Sequence, residues 1–372
     1  MRVKLSDITQ YSKGVQINRD ELIENGDYIY LNGGINPSGR WTEANVDGNT
    51  VTISEGGNSS GYINYITEPF WCGAHCYYLF NGPKNTKYLY YALKSQQERL
   101  FAIRSGACMP NIKKSDLGKF EFEFDPNEQR QNEIVESLSR VETIMTSRKS
   151  ELELLDDLIK ARFVEMFGDP ANNEKGFIKA PMGEYMTVLT DFSSNGSYKT
   201  LDSGVIMYDE PNYAWMVRTT DLESGDMTAI KYIDEEAYEL LAKSKIYGGE
   251  IIMNKIGSAG KIYLMPQIDI PASLGRNAFM FRYDERINVK FLYHLLTSEY
   301  GQREIQQYVR GAVTKTITKN DVRAVLIIVP PIELQNEFES FVEQVNKSKV
   351  AVQKALDETQ LLFNSLMQEY FG

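Results

Sequence analysis

The chain has 372 residues, of which 42% are hydrophobic, and a formal net charge of −11. That length supports two ordinary domains with cores, and the composition excludes a disordered chain. Three cysteines, Cys72, Cys76 and Cys108, are too few for a disulfide framework and fit a reducing, cytoplasmic setting. No apolar run reaches the roughly 18 residues of a membrane span, and the N-terminal MRVKLSDITQYSKG has no apolar signal core.

In chain order, Val51–Ser54 and Cys76–Phe80 have strand-like content, as do Ile251–Met253 and Ala278–Phe281. The Gly-, Asn- and Ser-rich runs 32–39 and 56–61 predict exposed loops, and helical patterns close each part near Lys87–Arg104 and Val289–Arg310. After Pro126 and again after Pro331 begin two long segments without internal proline or glycine. In the first, positions 134, 138, 141, 145, 148, 152, 155, 159, 162 and 166 keep a 4-3 spacing, and only Arg148 and Arg162 break the apolar seam. In the second, the equivalent positions from Phe338 to Tyr370 are broken only by Lys349 and Thr359. This is a coiled-coil pattern. About 40 residues of helix span about 60 Å, and one exposed apolar stripe of that length needs a partner. Matched register predicts that the two helices pair with each other, antiparallel; the competing expectation is that each packs on its own globular part.

The chain repeats itself. Leu89-Tyr90-Tyr91-Ala92-Leu93-Lys94-Ser95 returns as Leu292-Tyr293-His294-Leu295-Leu296-Thr297-Ser298. Gly106-Ala107, Ile112, Lys114 and Asp116 return as Gly311-Ala312, Ile317, Lys319 and Asp321. Gln131-Asn132-Glu133 returns as Gln335-Asn336-Glu337, and Phe167-Gly168 as Phe371-Gly372, all at an offset of 203–205. A weaker match sets Ser59–Ile63 against Ser258–Ile262. The fold class is therefore α+β: two similar mixed α/β domains, 1–126 and 169–330, with long helices at 127–168 and 331–372, an antiparallel coiled coil and a pseudo-twofold repeat.

Charge follows the same division. Segment 127–168 holds 6 basic and 9 acidic residues, and 331–372 holds 3 and 7, so the helices carry −7 of the −11. The globular parts are near neutral and can carry local basic patches. A net charge of this sign does not suit unaided binding to a polyanion and points to partners that share the phosphate contact.

Catalytic chemistry is not legible. The only Pro-Pro, Pro330-Pro331, lacks the flanking residues of an amino-methyltransferase loop, and no phosphate-cradling GxxxxGK[ST] is present. Cys72, His75 and Cys76 have no second ligand pair at zinc spacing, and His294 lies in an apolar-rich run that suits a structural role. The chain is expected to be no enzyme and to hold no metal or cofactor.

With Pro126-Asn127-Glu128-Gln129 and Pro330-Pro331-Ile332-Glu333-Leu334-Gln335 before the helices, Phe163–Gly168 at a helix end, Val217–Leu222 with Gly225, and the Gly257–Lys261 loop, the chain resembles the specificity subunits of type I restriction-modification systems. It departs in having one proline before the first helix and Glu-Leu-Gln before the second. The resemblance implies target-recognition domains that read a two-part sequence in double-stranded DNA. It implies helices that set the half-site spacing and dock methyltransferase subunits. It further implies two such partner subunits using S-adenosylmethionine and restriction-translocase subunits using ATP and Mg. A type IIB specificity subunit, or a coiled-coil adaptor with two carbohydrate- or protein-binding domains, shares the same outline.

Bases are read by side chains at groove edges, while phosphate contacts set position. The candidates on or beside the Gly-rich loops are Arg40, Asn58, Ser59, Ser60 and Tyr62 in the first domain. In the second they are Arg218, Thr219, Lys255, Ser258, Lys261, Arg276 and Asn277. For phosphate they are Arg104, Lys113 and Lys114, with Arg310, Lys315 and Lys319. Asn58, Ser59 and Ser60 are equally suited to forming the turn itself, and Trp41 and Trp71 suit a core better than a stacking platform.

Overall fold

The computed structural model describes residues 1–106 and 109–372; Ala107 and Cys108, one in the repeated Gly-Ala pair and one the isolated cysteine, lie outside the described residues. Two compact units emerge, 1–152 with 351–372, and 153–350.

Unit 1 holds a four-stranded antiparallel sheet in the order Gln10–Lys13, Cys76–Phe80, Thr50–Ser54, Ile63–Ile66. A second sheet sets Tyr28–Leu31 between Gly39–Trp41 and, in parallel, Trp71–Cys72. Unit 2 repeats the plan, with Met186–Asp191, Ala278–Tyr283, Ile251–Asn254 and Ile262–Leu264 in one sheet. Its second sheet likewise contains one parallel pair, Ala214–Val217 beside Ala272–Leu274. Two-residue-period strands rich in Ile, Val and aromatics are what these sheets require: Thr50–Ser54 and Ile251–Asn254 are buried along their whole length.

Register shows that the repeat extends through the N-terminal half. Tyr77 faces Lys13 and Ile53, and Phe279 faces Asp191 and Met253. Gly73 N–H donates to Leu31 O as Gly275 N–H does to Val217 O. The offset therefore grows from 178 (Lys13 to Asp191) through 186 (Leu31 to Val217) to 200 (Ser54 to Asn254). Insertions in unit 2, among them the helices Thr219–Ser224 and Glu235–Leu240, erase the match at the sequence level. The single helical pattern expected near Lys87–Arg104 is two helices, Thr86–Lys94 and Gln97–Ala102, and that near Val289–Arg310 is Val289–Thr297 and Glu299–Gln306. In the second, Ser298 is the break: its extended backbone ends one helix and its hydroxyl caps the next.

The long helices run Glu128–Phe167 and Ile332–Phe371. Each begins beside a buried glutamine of the repeated Gln-Asn-Glu. Gln131 Nε2 donates to Asp125 O at 2.7 Å, and Gln335 Nε2 donates to Pro330 O at 2.8 Å. Within each unit a stretch of one long helix meets a stretch of the other, and both pack on the globular part of that unit. In unit 1, Ile134 and Leu138 share one core with Leu89, Tyr91, Leu366 and Phe371, and the Arg130 guanidinium lies over the Tyr370 ring. In unit 2, Phe163 packs on Phe291 of the globular part and on Phe338 of the second helix, and Lys349 pairs with Asp156 at 2.6 Å. Within each unit the pairing is antiparallel, since higher numbers on one helix meet lower numbers on the other. Arg162, one of the two seam breakers, turns its ends to Glu165 and Glu337 while its Nε stays buried without a partner among the described residues.

Candidate nucleic-acid interface

In each unit the loop 55–62 or 255–261 follows the buried strand Thr50–Ser54 or Ile251–Asn254 and sits at one end of that strand's four-stranded sheet. A bridge ties that loop to a second one, Gly56 to Asn111 and Ile256 to Thr316.

In unit 1 the loop is largely self-satisfied. Ser59 Oγ donates to Gly33 O at 2.6 Å, and Ser54 Oγ donates to the same carbonyl. Ser60 is fully buried and its Oγ donates to Glu55 O at 2.7 Å. Its hydroxyl thus serves the turn, the other use expected for Asn58, Ser59 and Ser60, and is closed off from solvent. Asn58 stays exposed at the tip. Tyr62 is half-buried beneath the Lys94 ammonium, 3.8 Å from the ring, and burial pushes Lys94 down to about 8. Arg104 donates from Nε to Ser60 O at 2.7 Å and stacks on Phe101. Lys113 and Lys114 are exposed and form no ion pair among the described residues. Arg40 lies in a strand of the other sheet, not on the loop, and donates to Gly26 O and Asp27 O. Trp41 and Trp71 pack edge to face, and the Trp71 indole N–H donates to Val15 O.

In unit 2 the candidates converge more closely. Arg218, Thr219, Ser258, Arg276 and Asn277 line one cavity of about 380 Å³, floored by Met216 and Asn254. The two guanidiniums there are held by acids. Arg218 grips buried Asp221, at 2.5 Å for its closest contact, and Arg276 pairs with Asp202 while lying over Phe192 and Tyr198. Asn277 takes a left-handed backbone (φ 64°), which asparagine tolerates better than most residues, and its carbonyl accepts from Lys255 N–H at 2.7 Å. Lys261 pairs with Glu223, and Arg310 with Asp321 at 3.0 Å. Lys315 is exposed and has no ion-pair partner among the described residues. Ser258 is exposed on its loop.

Beside that cavity lies one lined by Asp191, a residue that no motif or repeat singles out. Its buried carboxylate accepts from Lys255 Nζ and Lys319 Nζ, both at 2.8 Å, and from Ser193 and Ser194. Burial raises its pKa, but these four donors together outweigh it and hold the carboxyl well below the usual range. The equivalent pair in unit 1 has the opposite polarity: Lys13, at the Asp191 position, pairs with Glu55, at the Lys255 position. In both units the lysine lies near the equivalent ring, Lys13 at 5.7 Å from Tyr77 and Lys255 at 5.6 Å from Phe279. Each pair joins the first strand of the sheet to the loop and so holds the loop's root. Among the described residues, no cluster of three His, Cys, Asp or Glu side chains is placed to hold a metal. Cys72 and Cys76 are buried free thiols, and His294 packs edge to face on Phe338. No helix of the described residues is long and apolar enough to cross a membrane.

The model of the type I restriction-modification DNA specificity domain matches residues 1–154 and again 185–359. The chain belongs to that family. Each matched copy covers most of one globular part and runs on into the long helix that follows it. A type I specificity subunit of Mycoplasma genitalium is 35% identical over 145 residues, spanning 38% of each chain, so this chain covers well under half of that relative. The specificity subunit of the Methanocaldococcus jannaschii type I restriction enzyme MjaVIII is 23% identical over 72% of this chain and 67% of that one. Among solved structures, the type I S subunit from M. genitalium aligns over 100% of this chain and 96% of its own, at 21% identity and TM-score 0.62. A chain from a study of type I complex assembly and conformational transition aligns over 99% and 95%, at 15% identity and TM-score 0.57. These two share the fold.

Proposed function

We propose that this specificity-family chain is a non-catalytic DNA-reading subunit. Each unit reads one half of a two-part target, and the long helices set the gap between halves. The observation that carries this is the duplicated loop pair at one end of the sheet that holds Thr50–Ser54 or Ile251–Asn254, with Arg104, Lys113, Lys114 and Lys315 beside it in sequence and in no ion pair among the described residues. Arg104, Lys113, Lys114 and Lys315 are the best placed for phosphate, since among the described residues no carboxylate pairs with them. Asn58, Ser258, Thr219 and Asn277 are the best placed for base edges. Arg218, Arg276, Lys261, Lys255 and Lys319 are ion-paired, and each would have to give up or share its carboxylate to meet DNA. Ser59 and Tyr62 support the loop from within.

The net charge of −11 supports a division of labour, in which methyltransferase subunits supply S-adenosylmethionine chemistry and part of the phosphate contact, and restriction-translocase subunits supply ATP-driven chemistry. Apolar residues left exposed along the helices, such as Leu154 and Leu158 in one unit and Leu361 in the other, fit a docking face for the methyltransferase partners. The working place is the cytoplasm. The deciding experiment is a gel shift with and without co-expressed methyltransferase subunits, followed by sequencing of methylated sites in cells. A sequence-selective shift only with the partners supports the proposal. Tight selective binding by the chain alone at physiological salt, or no selective binding with partners, overturns it.

A further inference from the structure

Gly106 and Gly311 open two loops of the same construction. Bridges between Ser105 and Asn111, and between Arg310 and Thr316, close five-residue loops with paired hydrogen bonds of 2.7–2.9 Å. Both glycines have φ near +100° (99° and 107°), and a Cβ on either would collide with a carbonyl across the loop, Met109 O or Thr314 O. Each loop is tied to the neighbouring Gly-rich loop by one further bond: Gly57 N–H donates to Pro110 O and Gly257 N–H to Lys315 O, both at 2.9 Å. Both loops are closed at their roots and tied to a neighbouring loop, and each carries an exposed apolar side chain among the described residues. Val313 is 97% exposed and Met109 79%. Cations lie beside each tip in sequence, Arg104, Lys113 and Lys114 in one unit and Arg310, Lys315 and Lys319 in the other; Arg310 and Lys319 are engaged by Asp321 and Asp191, which leaves Lys315 without an ion pair among the described residues of unit 2.

An exposed apolar side chain at a loop tip gains nothing within its own fold, and each unit exposes one, although at different places in the loop: Met109 stands where unit 2 has Thr314. An apolar side chain with unpaired cations beside it in sequence suits a surface that is itself apolar between charged rails, which is a base-pair step between phosphates. We propose that these two loops are wedges. Met109 and Val313 press into a base step of the half-site that each unit reads, partly unstacking it, while the flanking cations hold the adjacent phosphates. This rests on the DNA-reading function proposed above and adds a deformation component to it: part of the target is chosen by how easily its step opens, not by base-edge contacts alone.

The test uses the full chain with its methyltransferase subunits. The probe is a duplex of the sequence found methylated in cells, with 2-aminopurine replacing one adenine at a time. Wild type should raise 2-aminopurine fluorescence at one step in each half-site. Val313→Ser should abolish the rise in one half-site only, Met109→Ser in the other, and each should weaken binding roughly five- to tenfold, the scale of a lost base-step contact. Complex elution and thermal unfolding should not change, because both side chains are exposed. Wild-type fluorescence and affinity in both variants would overturn the wedge while leaving DNA reading intact. Loss of methyltransferase association with DNA contacts unchanged would overturn it in favour of a protein contact. If wild type binds no sequence selectively, the function proposed above fails and the wedge fails with it.

Discussion

Asp191→Asn removes one charge and almost no volume from the root of the unit 2 loop. The carboxylate is 5% exposed and receives two ammonium groups at 2.8 Å. With asparagine, Lys255 and Lys319 face each other across a neutral group. Breaking a buried pair costs about 3–5 kcal/mol. The lysine side chains are 29% and 32% exposed, so water screens part of the loss, and about 3 kcal/mol is expected. At roughly 2–4 °C per kcal/mol for a unit of this size, the midpoint should fall by about 6–12 °C. Trp215 is the one tryptophan of unit 2 and is fully buried, so a Trp41→Phe, Trp71→Phe background makes its fluorescence report that unit. The folded carboxyl titrates below its unfolded value. Its stabilisation is therefore complete above about pH 4 and fades as pH falls further, and the gap between wild type and variant should close in acid. Asp191→Lys with Lys255→Glu reproduces the unit 1 polarity and should be more stable than Asp191→Lys alone. A loss under about 1 kcal/mol at pH 7, or a gap that widens in acid, would refute the reasoning.

His294 is held near pKa 4 by burial, with Lys349 also lowering it and Asp156 opposing. Its neutral form is the folded one, so stability should decline as pH falls from about 6.5 toward 4, by no more than about 3 kcal/mol, and His294→Gln should lack that decline in denaturant titrations at pH 7 and 4.5. Phe163→Ala opens a hole among Phe167, Phe291 and Phe338 and should cost about 3–5 kcal/mol in the Trp215 transition. Four residues inserted after Ser147 add about 6 Å of helix, nearly two base pairs at roughly 3.4 Å each, and shift the heptad phase. Mapped methylation sites should show a spacer longer by one or two base pairs with both half-sites kept; an active variant with an unchanged spacer would sink the ruler. Replacing residues 1–125 with a related recognition domain should alter one half of the methylated target only.

What the amino-acid order determined by itself was whatever is periodic or local. The 4-3 seam specified two long helices, because an apolar stripe of that period has one stable use. Prolines and the repeated Gln-Asn-Glu marked where they begin, and the Gly-Ala turns recurred at one offset because both loops need the same left-handed glycine. The tertiary structure alone decided which cations are free. Lys255 stood among the base-reading candidates until a carboxylate 64 residues away claimed it, and Arg276 until Asp202 did. Lys13 with Glu55 and Asp191 with Lys255 occupy one place in the fold with opposite signs, and no comparison of residue types aligns them, since insertions shift the offset and the charges are exchanged. An ion pair needs only opposite charges at the right separation. The backbone register supplies the separation, and either strand can carry either sign, so the sequence pattern stays silent about a pair that the fold requires.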